Sequence, residues 1–301
     1  MPNLPPAAVT ALLRLSRLKH RSTAEKVRCD IAARTVRPQR YAPPRRLDRD
    51  LIVTVDTRHG WPTYQLAPRG NDDEPRAHVL YLHGGAYISE ISRMHWNALA
   101  QIALAAQARM IVPIYPLAPH STARDTVATA TDIAAAFIAE QAAATVTLMG
   151  ESAGGGMALA VGQQLRDRYD VQPARIVLLS PWLDVAMTDP AIALIDSSDA
   201  MLNREGLVEA GRSYAGGLDP AGPEASPLNG DITGLAPISM FSGTHDILNP
   251  DAHALLQKAQ ASGVSIDYYE QPGGQHVYQF LPTRAGQIAR ETITRLILDS
   301  G

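Results

Sequence analysis

A second cysteine is missing from this chain of 301 residues, so Cys29 has no partner for an internal disulfide and no companion thiolate for a metal site. Cys29 is expected to be a small packing residue. Long apolar runs are missing too: none approaches the roughly 20 residues that span a bilayer. The opening Met1-Pro2-Asn3-Leu4-Pro5-Pro6 lacks a charged stretch followed by an apolar signal core. The expectation is a cytoplasmic protein with no membrane span. Lysine is scarce, with 3 against 24 arginines, a skew that reflects genomic composition more than chemistry.

Charge is unevenly distributed. Residues 1–50 hold 12 Lys+Arg against 4 Asp+Glu, and the remainder holds 15 against 26, or +8 facing −11. A basic arm for nucleic acid or an anionic membrane is one reading, and an organelle transit peptide is another. No zinc knuckle, RNP-type aromatic motif or helix-turn-helix accompanies these arginines, so no nucleic-acid partner is expected. The simpler reading is a basic segment docked on an acidic body.

From residue 50 onward, short apolar runs alternate with longer helix-like stretches, the pattern of a mainly parallel sheet covered by helices. Strands are expected at 50–56, 63–67, 78–82, 110–115, 145–149, 175–180, 238–242 and 265–270. Helices are expected at 121–141, 153–169, 251–261 and 283–298. Two stretches interrupt the alternation: residues 1–48 and the Pro- and Gly-punctuated 184–237, whose run 203–214 looks helical. They divide the chain into an N-terminal cap segment (1–48), a core in two parts (49–183 and 238–301) and a cap insertion (184–237). Within the first, Val9, Leu12, Leu13 and Leu15 are expected as apolar contacts.

The strongest local signal is Gly150-Glu151-Ser152-Ala153-Gly154, between an expected strand and an expected helix. Gly-x-Ser-x-Gly arises by chance in roughly one in ten chains of this length at ordinary residue frequencies, so the pentapeptide alone is weak. Its context is not, because a sharp strand-to-helix turn exposes the Ser152 hydroxyl and needs small residues on both sides. A glycine-rich helix start packed on the sheet is the alternative. A serine hydroxyl also needs a base and an orienting carboxylate. Downstream lie His245, His253 and His276. His253 falls on an expected helix, His245 adjoins the best acid, and His276 follows a strand in a Gly-rich loop, which favours it. Asp246 follows the strand at 238–242; its rivals are Asp184 and Asp251, the latter resembling a helix cap. For the oxyanion that acyl transfer creates, His83-Gly84-Gly85-Ala86-Tyr87 follows a strand, and the amides of Gly84, Gly85 and Ala153 are the expected donors. By itself, His-Gly-Gly is also compatible with a tight turn or a fragment of a metal site. Tyr87, Trp96 and Tyr214 are candidate pocket walls, with core filling as the alternative. Glu151 either tunes the chemistry of its neighbour or caps the following helix.

Jointly, Tyr81-Leu82-His83-Gly84-Gly85-Ala86-Tyr87, Tyr115-Pro116-Leu117-Ala118-Pro119, Gly150-Glu151-Ser152-Ala153-Gly154-Gly155 and Ser180-Pro181-Trp182-Leu183-Asp184 resemble the hormone-sensitive-lipase-like esterases. The likeness continues through Ala225-Ser226-Pro227-Leu228, Gly243-Thr244-His245-Asp246-Ile247-Leu248 and His276. It implies an α/β-hydrolase fold with an eight-stranded, mainly parallel sheet flanked by helices and a helical cap. It also implies hydrolysis of small carboxylic esters without cofactor or metal, and is compatible with a homodimer. Where the family commonly carries Arg and Glu, Pro116 and His120 stand here, so a supporting ion pair is expected to be missing; Ala86 replaces a third glycine. An amidase, lactonase or natural-product deacetylase would share the same acyl-transfer residues. A small-molecule receptor on the same fold would not need them.

Overall fold

The computed structural model describes residues 3–70, 75, 77–141 and 143–299, so the ends of the first and last expected segments lie outside the described residues. Eight strands form one sheet: β1 (Leu51–Asp56), β2 (Thr63–Pro68), β3 (Ala77–Leu82), β4 (Ala108–Pro113), β5 (Val146–Glu151), β6 (Arg175–Leu179), β7 (Ile238–Gly243) and β8 (Ile266–Gln271). Their spatial order is β1-β2-β4-β3-β5-β6-β7-β8. Only β2 runs against its neighbours, pairing antiparallel with β1 and β4, while all other pairs are parallel. Every expected strand is present, within a few residues at each end.

Central strands β3, β5 and β7 are buried at every position, as parallel strands covered on both faces require. Their side chains alternate between two cores. Leu80, Leu82, Leu148, Ile176 and Leu178 face one side with α4 (Ala123–Gln141), α5 (Ala153–Gln164) and α8 (Asn249–Ser262). Val79, Tyr81, Met149, Val177 and Leu179 face the other with α3 (Arg93–Ala106) and α9 (Arg284–Leu298). Helix α3 was not expected from the sequence. It is closed by a reciprocal cap in which Ser92 Oγ accepts from Met94 N–H (3.2 Å) and His95 Nδ1 accepts from Ser92 N–H (3.0 Å). Histidine does there what a Glu or Gln normally does, which hides the signature.

The N-terminal segment holds α1 (Pro6–Ser16) and α2 (Ala24–Val36), and the insertion holds the short α6 (Ile192–Ile195) and α7 (Arg204–Ala215). Val9 is buried and Leu13 packs against the core, but Leu12 and Leu15 are exposed, contrary to expectation. Residues four apart share a helix face, and only the face of Val9 and Leu13 meets the body. Cys29 is exposed rather than packed. Helix α2 lies against α7, with Gly206 so close that an added Cβ would meet Ser22 O at 1.7 Å. Two of the expected basic-to-acidic contacts join these segments, Lys19 to Asp196 (3.0 Å) and Arg28 to Glu209 (3.0 Å). The insertion's second half turns back. Gln163 and Lys258 donate to the carbonyls of Pro227 (2.9 Å) and Leu228 (2.7 Å), laying residues 227–236 along α5 and α8 toward β7.

Helix α5 enters the sheet layer more closely than any side chain at Gly154 would permit. A Cβ on Gly154 would lie 2.0 Å from Leu82 O, and one on Gly150 would lie 2.0 Å from Gly154 O. Both obstacles are backbone atoms that cannot swing aside. Gly154→Ala is therefore expected to lose about 3 kcal/mol or more of stability in urea unfolding. Gly217→Ala, whose Cβ would meet nothing within 4 Å, should stay within about 0.5 kcal/mol of the parent. Equal midpoints for the two variants would refute this account of the α5 approach.

Candidate active site

The carboxyl ends of β3, β5, β7 and β8 converge, and each delivers one part of the site. Ser152 follows β5 with φ 53° and ψ −122°, a left-handed conformation that side chains rarely adopt. It is held there on both sides: its N–H donates to Leu179 O (2.9 Å), and its carbonyl accepts from Gly155 (3.0 Å), Gly156 (3.1 Å) and Trp182 (2.8 Å). The turn projects Oγ away from the sheet, toward the loop after β8.

There His276 Nε2 lies 3.0 Å from Ser152 Oγ, and His276 Nδ1 lies 2.8 Å from Asp246 Oδ2. An ionised Asp246 accepts the Nδ1 proton, so Nε2 presents its lone pair to the serine hydroxyl. Asp246 is fully buried and its other oxygen accepts from Leu248 N–H (3.0 Å). The acid and histidine loops brace each other through Thr244 N–H to Gln271 O (3.1 Å), His245 N–H to Gly274 O (2.9 Å) and Gly273 N–H to Thr244 Oγ1 (2.8 Å). Burial alone would lower the His276 pKa, but the charge and hydrogen bond of Asp246, helped by Asp199 and Glu151, raise it above the ordinary 6.5.

The rival acid Asp184 is elsewhere. It accepts from the N–H groups of Ala186 and Thr188 (2.9 Å each) and from the hydroxyl of Ser226 (3.0 Å), bracing the start of the insertion. Nor does Asp251 cap α8. The N-cap residue is Leu248, and Asp251, inside the first turn, accepts from Asp184 N–H (3.3 Å). Burial and the Asp184 charge push the Asp251 carboxyl up to about 8. His253 pairs with Glu270 at 2.7 Å, near the surface.

The loop after β3 departs from expectation at one residue. Gly84 N–H is not free to meet an oxyanion, because it donates to the buried Glu151 carboxylate, against which a Cβ on Gly84 would clash. Glu151 thereby ties the loop to β5 instead of capping α5. Gly85 and Ala86, by contrast, line the cavity that holds Ser152. Among the described residues, the amides of Gly85, Ala86 and Ala153 donate to no protein acceptor. The rest of the loop is rigid: buried His83 stacks on Tyr115 at 4.2 Å, donates Nδ1–H to Gly84 O (2.7 Å) and accepts the Tyr115 hydroxyl at its own carbonyl (2.6 Å). Burial drops the His83 pKa to about 3, so it stays neutral.

A cavity of about 260 Å³ opens over Ser152, bounded by α2, α7 and the strip around Met201 and Leu202. None of the aromatic residues expected as walls lines it. Tyr87 stacks on Tyr214 at 3.5 Å, both fully buried, and Trp96 is buried on the opposite face of the sheet, donating to Tyr41 O (2.9 Å). Their rings fill cores because no opening faces them. The walls are instead Val27, Ile88, Met94, Met201 and Leu207, with the polar Arg34. Sequence reasoning also missed Asp199, which accepts from Ile247 N–H next to Asp246, and the bond by which Gln275, just before His276, holds Ala200 of the insertion; no local motif marks either. Among the described residues, no group of three or more His, Cys, Asp or Glu could hold a metal ion, and no helix is long and apolar enough to cross a membrane.

A family model described as the alpha/beta hydrolase fold matches residues 79–280. An acetyl-hydrolase of Streptomyces hygroscopicus is 34% identical over 206 residues, covering 67% of this chain and 68% of that protein. A triacylglycerol lipase of Mycobacterium tuberculosis is 32% identical over 77% of this chain, which spans only 48% of the lipase. Among solved structures, an esterase from the bacterial hormone-sensitive lipase family superposes with a TM-score of 0.83 at 28% identity, covering 100% of this chain and 99% of its own.

The rate at which a fluorophosphonate labels Ser152 should fall as pH drops through a midpoint above 6.5, because protonated His276 cannot accept the hydroxyl proton. Asp246→Asn should slow labelling by roughly 10⁴-fold through loss of the correct tautomer, and Asp184→Asn far less. Comparable losses in the two folded variants would remove Asp246 from the site.

Proposed function

For a chain that belongs to the α/β-hydrolase fold family and, within it, to the hormone-sensitive-lipase-like carboxylesterase-type hydrolases, we propose that hydrolysis proceeds through an acyl-enzyme on Ser152 and that short- to medium-chain acyl esters are preferred. The observation that carries this reading is the unbroken hydrogen-bonded line from Ser152 to His276 to Asp246, with Ser152 and His276 lining the cavity beneath α2 and α7.

In this mechanism Ser152 Oγ attacks the ester carbonyl carbon while His276 Nε2 takes its proton and Asp246 stabilises the imidazolium. The carbonyl oxygen becomes an oxyanion and is met by the N–H groups of Gly85, Ala86 and Ala153. Collapse breaks the bond to the alkoxy oxygen, which leaves as alcohol with the proton from His276. Water then attacks the acyl carbon, giving its proton to the same nitrogen. A second collapse returns that proton to Ser152 and releases the carboxylic acid. Glu151 acts through Gly84, fixing the loop so that the next two amides face the reacting oxygen.

The N-terminal helices and the insertion through α7 act as a cap that limits the substrate. At about 260 Å³, the cavity lies below the usual several-hundred-Å³ range of small-molecule pockets. Each methylene contributes roughly 0.8 kcal/mol only while apolar space remains to bury it.

p-Nitrophenyl esters of about two to six acyl carbons should therefore outperform those of twelve or more. Ser152→Ala should lose roughly 10⁶-fold in turnover, and quenched wild-type enzyme should carry the acyl mass on the peptide containing Ser152. A receptor would show no turnover and no adduct, and preferred hydrolysis of amide or lactone analogues would redirect the substrate class while keeping the nucleophile. Faster cleavage of long-chain emulsified esters would overturn the cap argument alone.

A further inference from the structure

Asp199 comes from the insertion, 47 residues before Asp246 in sequence, yet its carboxylate is buried among the loops of the site and only 2% exposed. One oxygen accepts the N–H groups of Met201 (2.7 Å) and Leu202 (2.8 Å), and the other accepts the N–H of Ile247 (3.0 Å), the residue after Asp246. The residues on either side of Asp199 grip the other loop. Ala200 N–H donates to Gln275 Oε1 (2.8 Å), and Gln275 Nε2 donates to Ser198 O (3.1 Å), immediately before His276. One strip of chain is thus bonded to the residue following Asp246 and to the residue preceding His276.

Steric support of this kind does not need a charge. A buried carboxylate beside another carboxylate is unfavourable by itself, and an asparagine would satisfy part of the same turn. Asp199 lies within electrostatic reach of Asp246 and His276; Glu151 also acts on His276, and Asp251 lies within reach of Asp246. Only His276 gains positive charge in the reaction proposed above. Two nearby negative charges favour the imidazolium more than one does.

We propose that Asp199 is a positioning residue for the Ser152–His276–Asp246 constellation, locking the acid and histidine loops to the insertion and placing a second carboxylate beside the Asp246 loop. Consistent with that crowding, burial and then the Asp246 charge raise the Asp199 carboxyl to about 6 against three backbone hydrogen bonds that lower it.

This proposal rests on the reading of Ser152, His276 and Asp246 as a working triad. Its test is the pH profile of kcat and KM for p-nitrophenyl butyrate with wild type, Asp199→Asn, Asp246→Asn and the double variant. Because Asp199 helps raise the His276 pKa, removing its charge should move the acid limb to lower pH. It should also lower kcat about tenfold with KM nearly unchanged, the scale of one pKa unit of lost stabilisation. If Asp199 acts through Asp246, the Asp199→Asn loss should largely vanish in the Asp246→Asn background. An unmoved acid limb, or a loss of equal size in both backgrounds, would reduce Asp199 to ordinary structural support. Should Asp199→Asn fail to fold, Asp199→Ser removes the same charge with a smaller side chain and should give the same shift. Wild-type enzyme that neither turns over the ester nor labels at Ser152 would sink the triad reading itself. An active, labelled wild type beside an unchanged Asp199 variant would sink this proposal only.

Discussion

Everything at the site depends on how near the start of α5 comes to the ends of β3 and β5. Gly150 and Gly154 let that helix settle against Leu82 O and the elbow's own backbone, and the approach forces Ser152 into its left-handed turn. Four backbone hydrogen bonds hold the turn from below, so the strained residue cannot relax without breaking contacts on β6 and on the segment after it. The serine is therefore exposed by packing, and its reach to His276 is inherited from the sheet.

Around this fixed point the other loops are tied by bonds that cross long sequence separations. Glu151 holds Gly84, 67 residues before it. Val277, itself at φ 49°, donates to Ser180 Oγ (3.1 Å) after β6. The insertion reaches all three loops: Tyr214 stacks on Tyr87 in the loop after β3, Asp199 meets Ile247, and the carbonyl and amide flanking it meet Gln275. Helix α2 adds Arg34, whose guanidinium donates to Ile88 O (2.5 Å) and Ser89 Oγ (2.8 Å). Segments that interrupt the strand and helix alternation thus also stiffen it at the point of chemistry.

Much of this was legible in the sequence because the signals are local. Apolar runs bounded by breakers marked the central strands, since a strand buried on both faces must be apolar along its length, while the partly exposed β1, β2 and β8 showed as short mixed runs between breakers. Ser152, His276 and Asp246 stood out because each follows a strand directly, within a few glycine- or turn-rich residues, and a sheet whose strands run one way delivers such residues to one edge. The order in sequence and the edge in space are then the same information. Helix α3 escaped because its cap uses a histidine, and the exposure of Leu12 and Leu15 escaped because a helical repeat does not say which apolar face docks.

What the chain could not disclose locally was decided by contacts between distant residues. Gly84, Gly85 and Ala86 are equivalent as small residues in a turn; only the arrival of the Glu151 carboxylate consumes the first amide, while the next two, in residues that line the cavity, have no protein acceptor. Tyr87, Trp96 and Tyr214 are equivalent as large rings near the right motifs, and the tertiary packing buries all three because α7 and the N-terminal segment close over them. Asp199 looks like one more acidic residue in a loop until folding sets it beside Asp246. Sequence by itself determined the sheet, the sharp turn at Ser152 and the placing of Ser152, Asp246 and His276 just after its strands. Tertiary structure decided which amides, walls and neighbouring charges face them, because those depend on side-chain positions that no periodicity or spacing encodes.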